Sequence, residues 1–182
     1  MVRFNKAHVA LLAGAGLLML TTATAVNIPK GALAVRPFYV DKFLGKWYEI
    51  ARMDYKYEKK LDNVTATYTL RKDGDIRVDN RGHDYTKNKW KESIGKAKFV
   101  KEGDLGRLKV SFFGPFYAGY NVIAIDREYK YALVAGNNLK YLWILSRETS
   151  IPGSVKENYL QKARDIGYDT EALVWCKHDI DV

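Results

Sequence analysis

Cysteine is nearly absent from this chain of 182 residues: there is one, Cys176, and only three histidines. A single thiol can form no intrachain disulfide, so the fold cannot rest on such staples, exported or not. Lying between Trp175 and Lys177, Cys176 reads as a small, partly buried residue. His8 falls in the first segment, while His83 and His178 are isolated in polar stretches where solvation is expected. No pair has metal-ligand spacing, which argues against a zinc or haem-iron site. Asp73-Gly74-Asp75 opens like a calcium loop, but Arg77 and Val78 stand where a ligand and a glycine are required. Neither a Gly-x-Ser-x-Gly elbow nor a phosphate-cradling glycine loop occurs, so the sequence offers no nucleophile or nucleotide site. Repeats and low-complexity tracts are missing too.

What is present is a globular composition, with 47% hydrophobic and 28% charged residues, long enough for one domain with a sizeable core. Aromatics reach 13%, including 13 tyrosines, which favours β-structure. The formal charge is +9. That balance favours anionic partners, membrane or nucleic acid, and also serves solubility.

Residues 1–25 read as a secretory signal peptide. Arg3 and Lys6 form the basic start, Val9 to Leu20 the apolar run, and Ala23-Thr24-Ala25 the small-x-small cleavage pattern. The run is short for a membrane span. Without its two basic residues, 28 basic residues face 21 acidic ones, a charge of +7. Residues 26–42, with Pro29 and Pro37, read as an extended arm leading into a domain over 43–178.

That domain opens with Gly45-Lys46-Trp47-Tyr48-Glu49-Ile50-Ala51-Arg52, a strand pattern. Strict alternation places Trp47, Glu49, Ala51 and Met53 on one face and Tyr48, Ile50 and Arg52 on the other. Glutamate and tryptophan beside a small alanine suit a wall facing a cavity; Glu49 has no inward base in view, and its role stays open. Clean alternation follows at Val64–Leu70, then a Lys72–Asp75 turn, Ile76–Arg81, Trp90–Val100, Leu108–Phe112, Tyr120–Asp126, Tyr129–Ala135 and Lys140–Arg147. About eight short strands joined by hairpin-length turns exclude parallel βαβ architecture, whose crossovers are far longer. An all-β, up-and-down antiparallel barrel of eight strands removes the exposed edges. One helix follows Pro152, with Val155, Tyr159, Leu160, Ala163 and Ile166 as its apolar stripe and Gly167 as its stop. It should pack outside the barrel, before a last short strand over Glu171–Cys176. Asn63-Val64-Thr65 is a glycosylation sequon, meaningful only in a eukaryotic secretory pathway.

Gly45-Lys46-Trp47, Asp126-Arg127-Glu128-Tyr129 and Leu145-Ser146-Arg147, in this order and at barrel-length spacing, resemble the lipocalin signature. The strings around Trp47, Ser111-Phe112-Phe113-Gly114-Pro115-Phe116-Tyr117 and Tyr141-Leu142-Trp143 resemble one branch, the bacterial outer-membrane lipoprotein lipocalins, relatives of apolipoprotein D. The resemblance covers about residues 38–176 and implies a barrel closed at the Trp47 end, with Arg147 lying across Trp47 and Gly45 and Asp126 as structural signature residues. It implies a carrier of fatty acids or lysophospholipids for envelope maintenance under stress, not an enzyme, and no cofactor. The branch's lipid-anchored cysteine after the signal is missing here, so the location implied is exported, periplasmic or outer-membrane associated. Alternation then nominates Glu49, Ala51, Met53, Val78, Asn80, Val110, Phe112, Tyr120, Val122, Tyr141 and Trp143 as ligand-binding. The alternatives are a carrier of another hydrophobic molecule, haem-like or isoprenoid, and a lipocalin-fold enzyme. Expected partners are the lipid, an anionic membrane surface and a second copy of the chain. Nucleic acid is not expected, since basic residues alternate with inward aromatics instead of sharing their face.

Overall fold

Each strand of an alternating, hairpin-linked chain can pair only with its sequence neighbours, and the sheet then has to close on itself. The computed structural model describes residues 26–180 apart from 57, 102 and 103; the expected signal peptide lies outside the described residues. After a single helical turn, α1 (Val40–Phe43), come β1 (Gly45–Met53), β2 (Leu61–Leu70), β3 (Ile76–Asp84) and β4 (Lys89–Phe99). They are followed by β5 (Arg107–Ser111), β6 (Ala118–Ile125), β7 (Tyr131–Ala135) and β8 (Leu142–Ser146). Helix α2 (Gly153–Ile166), a 3-10 turn and a short β9 (Leu173–Trp175) complete the chain. All pairings are antiparallel between neighbours, and β1 pairs with both β8 and β2, closing an eight-stranded barrel. Residues 26–39 of the arm carry no helix or strand and include a turn at 30–31 and a bend at 36–37, and α1 ends the arm with one helical turn.

Two apolar clusters divide the molecule. The outer one joins Ile50, Ile123, Leu133, Leu142 and Ile144 to Tyr159, Leu160 and Ala163 of α2. The helix stripe thus covers β6–β8 and β1, and Gly167, in the left-handed region at φ 105°, donates back to Ala163 and Arg164. The inner cluster fills the lower barrel with Phe38, Phe43, Trp47, Tyr68, Ile76, Val78, Leu108, Val122, Val134 and Leu145. Phe38 and Phe43 reach this floor because the arm is laced to the sheet, with Val35 N–H donating to Val122 O at 2.9 Å and Gly106 N–H donating to Val35 O at 3.0 Å.

Arg147 seals the floor. Its guanidinium lies 3.8 Å from the Trp47 ring centre. It donates to the carbonyls of Lys42, Leu44 and Lys46 at 2.9, 2.8 and 2.6 Å. The first two are orphan acceptors at the end of α1, where the helix itself supplies no donors. Trp47 Nε1–H donates to a third, Phe43 O, at 2.8 Å. Gly45 has φ +92°, and a Cβ there would meet the Arg147 guanidinium at 3.4 Å. Asp126 shapes the β6–β7 turn by accepting from the N–H groups of Glu128, Lys130 and Tyr131. These four residues are therefore the hardware of the closed end.

Candidate functional site

Exposure inside the barrel rises from floor to mouth. Trp47, Phe43, Ile76, Val134 and Val122 are fully buried. Higher up, Asn80, Val110, Phe112, Tyr120 and Trp143 face the same interior and are only half-buried. A side chain that points inward yet keeps accessible surface borders open space, so the upper barrel is a cup above a packed floor. The loops around its mouth are 54–60, 85–88, 112–117 and 136–141, as strand direction requires.

An aromatic collar runs round this cup. Trp143 stacks with Tyr120 and Tyr141 at 6.3 Å, and Tyr55 of the 54–60 loop stands edge-on to both Tyr141 and Trp143. Below it the Tyr68 and Tyr120 hydroxyls meet at 2.7 Å, a polar pair in an apolar wall. Asn80, which pairs across the sheet with inward Ala66, has a buried Oδ1 with no hydrogen-bond partner among the described residues.

The β1 wall departs from strict alternation. Glu49 sits opposite Leu145, but Ala51, not Ile50, sits opposite Ile144: an extra residue makes a β-bulge. Beyond it the faces exchange. Ala51 and Met53 turn outward into the cluster beneath α2, whereas Arg52 turns inward beside its register partner Trp143. The expectation for Ala51 and Met53 as cavity wall is thereby corrected, as is that for Arg52 as an outer residue. Val78 and Val122 do face the interior, deep against the floor, and Tyr141 stands at its rim.

Arg52 is 1% exposed. It sits where β1 and β2 part: β1 pairs with β2 only up to Tyr48, after which β9 takes its edge. The guanidinium spans that gap. It donates to the carbonyls of Glu58 and Leu61 at 2.7 and 3.1 Å and to the Glu49 carboxylate at 2.8 Å. The Cys176 thiol, its pKa raised by burial and then by the Glu49 charge, stays protonated and donates to Glu49 at 3.1 Å. Glu58, from the mouth loop, accepts from Trp143 Nε1–H at 3.2 Å and is hydrogen-bonded to Tyr55. Burial, and after it the Glu49 charge, push Glu58 up to about 8. Near neutral pH Glu58 is thus held neutral beside the buried Arg52–Glu49 ion pair. That answers the open role of Glu49: it is the counter-ion of Arg52.

Sequence reading missed Arg52, Tyr55 and Glu58. An arginine ending an apolar strand was the one signal; a glutamate in a charged loop carries none. Of the two histidines expected to be solvated, His83 is buried and His178 is half-buried. His83 is buried between Asp62 and Asn88 at 3.0 Å each, and His178 contacts Glu49 O at 2.9 Å. Asn63 of the sequon is buried and hydrogen-bonded to the C-terminal segment. Among the described residues, no group of three or more His, Cys, Asp or Glu could hold a metal ion, and no helix is long and apolar enough to cross a membrane.

A closed eight-stranded antiparallel barrel with a sealed floor, an open cup and a helix outside defines a small-ligand carrier fold. The family described as the lipocalin-like domain matches residues 38–178, and the chain belongs to the lipocalins. It is 50% identical over 149 residues to the outer membrane lipoprotein Blc of Citrobacter freundii, covering 82% of this chain and 84% of that protein. Mouse apolipoprotein D is more distant, 34% identical over 149 residues and covering 74% of this chain and 76% of that one. Insecticyanin from the tobacco hornworm Manduca sexta shares the fold, with a TM-score of 0.68 at 20% identity over 85% of this chain and 87% of that one. Membership implies a small hydrophobic ligand and a carrier's role of the kind lipocalins generally have.

Proposed function

We propose that this protein binds fatty acids or lysophospholipids in the upper barrel and stores or carries them within the cell envelope, in upkeep that matters under stress. The observation that carries this is the half-buried wall of Val110, Phe112, Tyr120 and Trp143 above a sealed floor. Such a wall suits an acyl chain, while the unpartnered Asn80 Oδ1 and the Tyr68–Tyr120 hydroxyl pair offer contacts for a polar group. Each buried methylene contributes about 0.8 kcal/mol, so a long chain gains roughly 10 kcal/mol before ordering costs. That is enough for micromolar binding without any catalytic group. The named likeness to outer membrane lipoproteins supports an envelope location after export.

Native mass spectrometry of the purified protein with lipid extraction tests the reading. A bound acyl lipid, displaced by a fluorescent fatty acid one to one, is the expected result. A protein that takes up no fatty acid, or one whose uptake is unchanged in Trp143→Ala and Phe112→Ala variants, would overturn it.

A further inference from the structure

The outer face of β1–β3 carries a second concavity, divided from the barrel interior by the sheet itself, with a volume of about 180 Å³. Cross-strand register builds its base: Tyr48 pairs with Thr65 and Thr65 with Arg81, so the three side chains stand in a row on one face. Lys46, two residues earlier on β1, shares that face and holds its ammonium 4.6 Å from the Tyr48 ring centre. His178 closes one side, edge-on to Tyr48 and held by its contact with Glu49 O. Trp90 closes the other, with the Arg81 guanidinium stacked 4.2 Å over it.

The cations here are disposed unlike their neighbours. Arg77, Lys91 and Lys98 each hold a carboxylate, of Asp79, Asp84 and Asp75, at 2.7, 2.8 and 3.0 Å. Lys46 and Arg81 rest on aromatic rings instead. The carboxylate facing Arg81 is that of Glu92, 3.6 Å away on a side chain that is 69% exposed. Arg81 Nε is buried and makes no hydrogen bond among the described residues. A guanidinium clamped flat on an indole keeps its edge donors in a fixed plane, the arrangement that suits two oxygens of one phosphate. Thr65 and Thr149 add hydroxyls to the same walls, which a neutral apolar ligand would leave unpaired. Since a water occupies about 30 Å³, the space accepts roughly six, the bulk of a phosphate on a three-carbon polyol.

We propose that this cleft is a separate binding site for a phosphate ester of a small polyol, with Arg81 and Lys46 as its anion contacts. The ester could be free or form the headgroup of a phospholipid, and the two sources are distinguished by the probes. Glycerol 3-phosphate should move the Trp90 indole N–H resonance saturably, glycerol should not, and Arg81→Gln should weaken binding about tenfold or more, the worth of a charge-assisted hydrogen bond. Lys46→Gln should weaken it less, and neither change should alter uptake of a fluorescent fatty acid by the barrel. Should glycerol 3-phosphate leave the resonance still while phosphatidylglycerol vesicles co-sediment the protein in an Arg81-dependent way, the ligand is the headgroup. The site is overturned if neither probe binds, if glycerol binds equally, or if binding survives both substitutions.

Discussion

Arg52 shows how much one side chain can hold together. It joins β1 to the start of β2, to the mouth loop and to the C-terminal segment through Cys176. Removing it strands Glu49 as an unpaired buried anion, so Arg52→Ala should cost about 3–5 kcal/mol in urea unfolding. Its neighbour Glu58 gives the molecule a pH signature. A carboxyl held near pKa 8 in the fold keeps its proton there while the unfolded chain, ordinary for a glutamate, has already lost it. Stability from this group is therefore full below about pH 4.5 and falls as pH rises through about 8. Unfolding curves across that window should show the decline, and Glu58→Gln, which can still accept from Trp143, should flatten it.

Among the strands, the decisive features are two bulges, at Ile50 in β1 and Ile123 in β6, each exchanging the inner and outer faces partway along the strand. They let one strand pack against the barrel floor at one end and present the same parity to α2 at the other. This places Ala51 at 0% exposure under the helix, outside the cup. Ala51→Leu should then overpack that interface and lower stability by about 1–3 kcal/mol, seen as a shift in Tm. Fatty-acid affinity per folded molecule should stay as in the unaltered protein, whereas a residue lining the cup would block the ligand. Alternation revealed the strands, their order and the α2 stripe, because period-2 and period-3.6 patterns are local. It misplaced Ala51, Arg52 and Met53, since a bulge is chosen by how two strands fit and leaves no mark in either one.

At the scale of the whole molecule, the two ends of the barrel differ in kind. The closed end is a packed, hydrogen-bonded plug. The open end displays Phe113 and Phe116, 70% and 68% exposed, alongside the exposed Lys56, Lys59 and Lys60. Asn27 of the arm lies at this end too, its N–H donating to Asn137 Oδ1 in the 136–141 loop at 3.2 Å. Such a rim suits an anionic bilayer met mouth first, with the lysines on headgroups and the phenylalanines among the acyl chains. Reversing the charge of all three lysines should weaken sedimentation with anionic vesicles, and added salt should weaken the unaltered protein's binding likewise.

Residue order alone determined the all-β barrel and the helix outside it, because hairpin turns leave antiparallel neighbours no choice; the Trp47–Arg147 seal was legible only through the resemblance to the lipocalin signature. Only the tertiary structure decided which side chains face the cup and which carry charge inside it. A buried Arg52 is tolerable solely where Glu49, Glu58 O and Leu61 O converge on it, and that convergence exists nowhere but in the closed seam of β1, β2 and β9. The row of Tyr48, Thr65 and Arg81 likewise arises from register across three strands, which no single stretch of sequence contains.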